Sequence, residues 1–268
     1  AGGLLGWGLL SGAALSSGLL VPLVAPALAL VLPGVAAAAA RFSGERATRR
    51  RLASTLGSYV NPHVLAAVLA DPDAVGIQGA RRRVTVLMAD IVGYSTFSED
   101  RPPEEIVGVL NEYFTEVTEA IQAAGGTVDK FIGDGLLAIF GAPLPLETDG
   151  AEQAVAAAME MSRRLDGLAG RWRARGLPEL DIGIGVHTGD AVVGNIGSPR
   201  KMEFTVIGDA VNVAARIEST TRSFSRRILL SEGTVERLRQ PPPLTDLGEV
   251  QVKGRRQPVR LYGLAEED

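Results

Sequence analysis

Cysteine is absent from the 268 residues, which removes disulfides, thiol nucleophiles and Cys-based zinc sites. Histidine is nearly absent: only His63 and His187 occur, too few for a His-rich metal site or a well-supported Ser-His hydrolase arrangement. His187 follows the apolar run DIGIGV and precedes Thr188-Gly189, so it reads as a structural residue at a strand end. There is no basic excess either. The net charge is −4, which argues against a nucleic-acid partner. No GxxxxGK[ST] stretch is present, which argues against a P-loop nucleotide site. The length fits one or two domains.

Charge is missing altogether from residues 1–40, and then Arg41, Glu45, Arg46, Arg49, Arg50 and Arg51 arrive together. An uncharged apolar stretch this long exceeds the ~20 residues that one helix needs to cross a bilayer. Pro22 and Pro26 favour a break, so 1–40 is expected to form two short spans, or one span and a re-entrant piece. The arginines that follow put everything downstream on the cytoplasmic side of the cell membrane. A cleaved secretory signal fits less well, because it would carry its positive charge before a short apolar core. The chain opens on Ala1 rather than Met, consistent with a fragment or processed chain and an extracytoplasmic sensor upstream.

Residues 41–80 read as a juxtamembrane coupling helix and linker. Leu52, Leu56, Tyr59, Val60, Val64, Leu65, Val68 and Leu69 recur at three- and four-residue steps, with a break at Asn61-Pro62. Residues 71–83 read as the linker itself. From 81 to 268 strands and helices alternate. Strands are expected at 84–89, 128–132, 136–140, 182–186, 191–196 and 228–230; helices at 103–124, 147–175 and 209–219. In the first helix Ile106, Leu110, Phe114, Val117 and Ile121 form one stripe. Gly133-Asp134-Gly135 marks one hairpin and the segment HTGD, 187–190, a second. Pro241–Pro243 is a loop before a last hairpin around Lys253-Gly254. The order βαββαββαβ predicts an α+β sandwich of the ferredoxin-like βαββαβ kind rather than a doubly wound parallel sheet.

Two carboxylates stand out. Asp90 ends the apolar strand VTVLMAD, and Asp134 sits at the tip of DKFIGDGLLAIFG. A lone Asp at either place is usually a cap or turn former. If the two strands are neighbours, however, the carboxylates converge and repel unless a divalent cation neutralises them. Mg²⁺ in particular binds through one or two carboxylates with phosphates completing its shell. Further on, FTVIGDAVNVAARIE opens a helix that carries Asn212 and Arg216 four apart, hence on one face. Together these segments point to metal-dependent chemistry on a nucleoside triphosphate.

The segments VTVLMADIVGYST, DKFIGDGLLAIFG, IGVHTGDAVVGNIG and FTVIGDAVNVAARIE occur here in that order. Residues 84–264 thereby resemble the catalytic domain of class III nucleotidyl cyclases, specifically bacterial adenylate cyclases. The resemblance implies that Asp90, Asp134 and the Ile91 carbonyl hold two Mg²⁺ or Mn²⁺ ions. One ion would activate the 3′-hydroxyl of ATP; the other would hold the phosphates while pyrophosphate leaves and cyclic AMP closes. Gly93 to Phe97 would bring backbone N–H groups to the phosphates at a helix start. Asn212 would orient the ribose and Arg216 would stabilise charge on the α-phosphate.

Base choice follows from the same resemblance. Lys130 has donors only, which suits adenine N1 and opposes the N1–H of guanine. Thr205 can accept from the adenine amine, which places the chain with the Thr-bearing subgroup. Because a hydroxyl also donates, its discrimination would be looser than that of Asp. Lys253 resembles a lysine that contacts the outer phosphates. One departure is Gly183, where some members carry an arginine that touches the triphosphate. The metal aspartates and the base-selecting residues of this family come from opposite subunits, so a homodimer is expected. A cyclase using GTP is disfavoured by Lys130, and a silent nucleotide-sensing module by the joint presence of Asp90, Asp134, Asn212 and Arg216. A diguanylate cyclase would carry a GGDEF-type signature, which is missing.

Overall fold

The computed structural model describes residues 79–99, 101–142, 149–177, 179–198, 200–251 and 258–264, all within the second of two compact units, Asn61–Asp268. The expected spans at 1–40, the helix after them and Lys253 lie outside the described residues. Among the described residues no helix is long and apolar enough to cross a membrane.

The element order is β1 (Ala80–Val92), α1 (Tyr94–Glu99), α2 (Pro103–Ala123), β2 (Thr127–Ile132), β3 (Gly135–Phe140), α3 (Ala151–Ala174), β4 (Asp181–Ser198), β5 (Lys201–Ile207), α4 (Asp209–Phe224), β6 (Ile228–Ser231), α5 (Glu232–Val235), β7 (Leu244–Val250) and β8 (Val259–Leu264). These strands form one sheet in the order β2-β3-β1-β4-β6-β8-β7, with β5 paired to β4 beside that path. The class is α+β. Within it β3 lies between β1 and β2 and antiparallel to both, the split βαβ arrangement expected of a ferredoxin-like core.

β1 is apolar on both faces because helices cover both. Leu87, Ala89 and Ile91 pack with α2 and α3, whereas Val84 and Val86 pack with Ala210 and Ala214 of α4. Each large apolar side chain buried this way contributes about 1.5–3 kcal/mol. α2 starts at Pro103 with Glu104 and Glu105 in its first turn, where carboxylates favour the helix dipole. It ends at Gly125, whose φ of 79° suits the cap, and Gly126 N–H donates to the Ile121 carbonyl at 2.9 Å. The buried stripe of α2 is Val109, Tyr113, Val117, Ala120 and Ile121; Ile106, Leu110 and Phe114 lie at its edge. The stripe is thus rotated from the expected one, which brings Tyr113 into the core.

Two sequence expectations need correction. Residues 182–186 and 191–196 are not two strands joined at HTGD but one strand, β4, running from Asp181 to Ser198. The segment stays extended because β1 holds it on its flank. Thr188 Oγ1 and Thr85 Oγ1 share a hydrogen bond at 2.8 Å, and Asp190 pairs with Arg81 at 3.1 Å and Arg83 at 3.2 Å. The second hairpin exists, but it turns between Ser198 and Lys201 and returns as β5, which carries Thr205. Residues 80–83, read as linker, form the start of β1, paired with 190–193 of β4.

Candidate active site

Asp90 lies two positions before the end of β1 and opposite Gly183 of β4. The ladder from β1 to β3 stops at Ala89 while that to β4 continues to Val92. Main-chain groups of Asp90 and Ile91 on the β3 side therefore lie beyond that ladder. The β2–β3 hairpin closes through Gly133 and Asp134, between the paired Ile132 and Gly135. Gly133 takes φ 65°, a two-residue turn led by glycine. That tip sits against the end of β1: a side chain on Gly135 would stand 2.9 Å from Asp90 Oδ1 and 2.7 Å from the Ala89 carbonyl. Burial pushes the Asp134 carboxyl above its usual range, and the Asp90 charge pushes it further. The two carboxylates converge, as the strand-neighbour argument requires.

This pair fits a hard divalent cation. Its donors are all oxygen, and their mutual repulsion is what a cation relieves. Among the described residues no group of three or more His, Cys, Asp and Glu closes a metal shell. Phosphate oxygens would have to complete the coordination.

α4 adds charge to the same place. Arg222 Nη2 donates to Asp90 Oδ2 at 3.0 Å and stands 3.7 Å from Glu218 Oε1. Glu218 is 6% exposed, and its Oε1 has no hydrogen-bond partner among the described residues. Burial first, then the Asp90 charge, lift its carboxyl to about 7, against the pull of Arg222. The buried Tyr113 hydroxyl also lacks a hydrogen bond there; burial and the charges of Asp90, Asp134 and Glu218 raise it far above an ordinary phenol.

α4 reaches this position because β4 offers glycines beneath it. A β-carbon on Gly183 would fall 2.5 Å from Thr221 Oγ1 and 2.9 Å from Glu218 Oε1; one on Gly185 would fall 2.3 Å from the Glu218 backbone nitrogen. In this arrangement position 183 has no room for an arginine. The guanidinium beside Asp90 comes from α4 instead.

Lys130 and Thr205 form a second cluster. Thr205 Oγ1 donates to Asp129 Oδ2 at 2.6 Å, Lys130 Nζ lies 3.9 Å from that same oxygen, and Lys130 donates to Glu203 Oε2 at 3.4 Å. The β4–β5 arm thus reaches back to β2, and two residues far apart in sequence share one carboxylate. Asp129 is the extra residue of a β-bulge: Val128 pairs with Ala138 and Lys130 with Leu137, leaving 129 between them. Burial raises its carboxyl, opposed by the Thr205 hydroxyl, Lys130 and the Val206 N–H.

Asn212 is exposed and Arg216 half-buried, both on α4. Six positions separate Asn212 from Glu218 and Arg216 from Arg222, which at about 100° per residue leaves the members of each pair about 120° apart around the helix. Glu218 and Arg222 thus meet the Asp90 cluster of their own chain, while Asn212 and Arg216 lie on an adjoining face of α4. Gly93 (φ 84°) leads into α1, so the Tyr94, Ser95 and Thr96 N–H groups precede the first intrahelical bond. Phe97 departs from expectation: its N–H donates to the Gly93 carbonyl at 3.0 Å and its ring is buried. Its amide and ring are both used within the fold.

The sequence does not single out Asp129, Glu218, Arg222 or Tyr113. Glu218 and Arg222 carry a signal in their i,i+4 spacing, which ordinary surface pairs share. Strict strand alternation turns Asp129 away from Lys130, and only the bulge overrides it.

With fold and clusters in place, comparison with known proteins gives the class. The chain belongs to the adenylate and guanylate cyclase catalytic domain family, whose model matches residues 78–266. It is 37% identical to adenylate cyclase 1 of Rhizobium meliloti (strain 1021) over 68% of this chain and 27% of that protein. Among solved structures, the adenylyl cyclase CyaB from P. aeruginosa matches with TM-score 0.66 and 33% identity, over 71% of this chain and 97% of that one. The guanylyl cyclase Cya2 matches with TM-score 0.65 and 38% identity, over 71% and 95%. The chain spans between 27% and 43% of the length of the first curated relatives it matches.

Proposed function

We propose that this chain is an adenylate cyclase that converts ATP to 3′,5′-cyclic AMP and pyrophosphate at the interface of a homodimer. The observation that carries this reading is the division of α4. Glu218 and Arg222 close on the Asp90–Asp134 pair of their own chain, whereas Asn212 and Arg216 each stand about 120° round the helix from their counterparts six positions on. A complete site then needs the carboxylates of one protomer and the Asn212–Arg216 face of its partner. By two-fold symmetry the dimer carries two such sites.

Mg²⁺ or Mn²⁺ held by Asp90, Asp134 and the Ile91 carbonyl would supply a more acidic 3′-hydroxyl and screening of phosphate charge. The chain's own residues do the rest. Asn212 orients the ribose, so that the 3′-oxygen lies in line with the α-phosphorus. Arg216 stabilises the charge that builds on the α-phosphate, a role typically worth ~10²–10³ in rate. The N–H groups at the start of α1, after Gly93, receive the phosphates. Lys253, outside the described residues, is assigned to the outer phosphates. Lys130 donates to adenine N1, and Thr205 accepts from the exocyclic amine. Residues 1–40 anchor the chain in the cell membrane, and the arginines after them keep the cyclase domain on the cytoplasmic side.

The likeness to a guanylyl cyclase at 38% identity makes GTP the competing substrate. Supplying ATP and GTP separately with Mg²⁺ or Mn²⁺, and identifying the cyclic product, tests the reading. ATP cyclisation by the wild type, lost in Asp90→Ala, supports it. Retained activity in Asp90→Ala, or an undiminished ATP preference in Lys130→Glu, contradicts the assigned roles.

A further inference from the structure

A hydroxyl both donates and accepts, so Thr205 alone cannot tell the amine of adenine from the carbonyl of guanine. Its surroundings remove that ambiguity. The Asp129 side chain is 1% exposed, and its Oδ2 lies 2.6 Å from Thr205 Oγ1. An ionised carboxylate has no proton to offer, so the single O–H of Thr205 is the donor in this contact. Lys130 Nζ stands 3.9 Å from the same Oδ2, and the Val206 N–H also donates to the Asp129 carboxyl. The carboxylate is fixed by groups from β2 and β5 at once, and the bulge at 129 is what turns it inward.

We propose that Asp129 is a specificity-positioning residue: it holds the Thr205 hydroxyl proton, so Thr205 presents only lone pairs to the base. The Thr205 oxygen then behaves as an extension of the carboxylate, able to accept from the exocyclic amine of adenine and unable to donate to O6 of guanine. A hydroxyl polarised by a buried carboxylate is also the better acceptor. The looseness expected of a Thr-bearing pocket is thereby removed. This inference rests on the reading of Lys130 and Thr205 as the base-contacting pair. It adds a third residue, one that touches no nucleotide and acts through Thr205.

The test compares the full chain with Asp129→Asn, Thr205→Val and the double variant. Two readouts are taken with Mn²⁺: the kcat/KM ratio for ATP over GTP, and the ratio of affinities for 3′-deoxy-ATP and 3′-deoxy-GTP, which cannot cyclise. In Asp129→Asn the new side-chain amide can donate to the Thr205 oxygen and free the hydroxyl proton. The expected result is a fall in both ratios of about tenfold, the worth of one hydrogen bond. Thr205→Val should lower them at least as much, and the double variant no further than Thr205→Val alone. A carboxylate that merely ties β2 to β5 would change the melting temperature and total activity while leaving both ratios alone. Unchanged ratios in Asp129→Asn, or losses that multiply in the double variant, overturn the proposal. If the wild type cyclises neither nucleotide, the adenylate cyclase reading fails by itself. The deoxynucleotide affinities still decide the role of Asp129: a wild-type preference for the adenine form that survives Asp129→Asn, or no preference at all, overturns it.

Discussion

Replacing Glu218 with Gln should make the folded chain more stable at pH 8, and by only about a quarter as much at pH 5. Glu218 is buried on the β4-facing side of α4, with an Oε1 that accepts no hydrogen bond among the described residues, and its carboxyl is lifted from 4.5 to about 7. In the unfolded chain it titrates near its ordinary value. A raised folded value means that the contribution to stability is fully present below the unfolded value. It is lost as pH rises through the folded one. The loss therefore runs from near pH 4.5 to above pH 7 and amounts to about 3 kcal/mol at most. Gln keeps the shape and carries no charge, so it avoids this loss. For a domain of this size the gain at pH 8 corresponds to about 5–10 °C in melting temperature. Thermal or urea unfolding across pH 5–8, with chelator present so that no cation neutralises Asp90 and Asp134, measures it. Parallel pH profiles for wild type and Glu218→Gln, or a less stable variant at pH 8, would refute the placement there of a buried, ionisable carboxyl whose Oε1 accepts no hydrogen bond.

Two further outcomes follow from the same end of the sheet. Arg222→Ala removes a half-exposed ion pair on Asp90, of the kind usually worth ~0.2–1 kcal/mol. Because that guanidinium occupies an oxygen a cation needs, the divalent concentration for half-maximal activity should drop about two- to fivefold; an increase would mean that Arg222 assists the cation instead. Gly183→Ala places a β-carbon 2.5 Å from Thr221 Oγ1, so α4 must move or the chain loses about 1–3 kcal/mol. Urea unfolding reads the stability, and a neutral substitution would show that α4 is not packed as closely as described.

The legible part of the fold was the part governed by local pattern. The apolar run ending at Asp90, the Gly-led tip carrying Asp134 and the helix carrying Asn212 and Arg216 were all readable, because each is fixed by residues near it in sequence. Pattern misled where a partner strand decides. Thr188-Gly189-Asp190 has the composition of a turn, yet Arg81, Arg83 and Thr85 on β1 keep it extended. With the turn expected at HTGD, β5 is not anticipated as a strand, because its residues stand directly before the helix that begins at Asp209. The remaining residues of the candidate site depend on contacts between distant segments. Glu218 and Arg222 matter only because Gly183 and Gly185 let α4 settle on β4, and Asp129 only because a bulge turns it toward β5. No local spacing encodes such contacts. At Phe97 the motif is readable, but that its own amide and ring are used within the fold is not.

The central claim is that each site joins Asp90 and Asp134 of one protomer to Asn212 and Arg216 of another. Co-expressing Asp90→Ala with Arg216→Ala tests it directly. Each variant alone should be inactive. Random pairing makes half of the dimers mixed, and each mixed dimer has one site bearing both lesions and one bearing neither. The co-expressed pair should therefore recover about a quarter of wild-type ATP cyclisation. No recovery despite mixed dimers, or undiminished activity in either variant alone, would contradict the shared site.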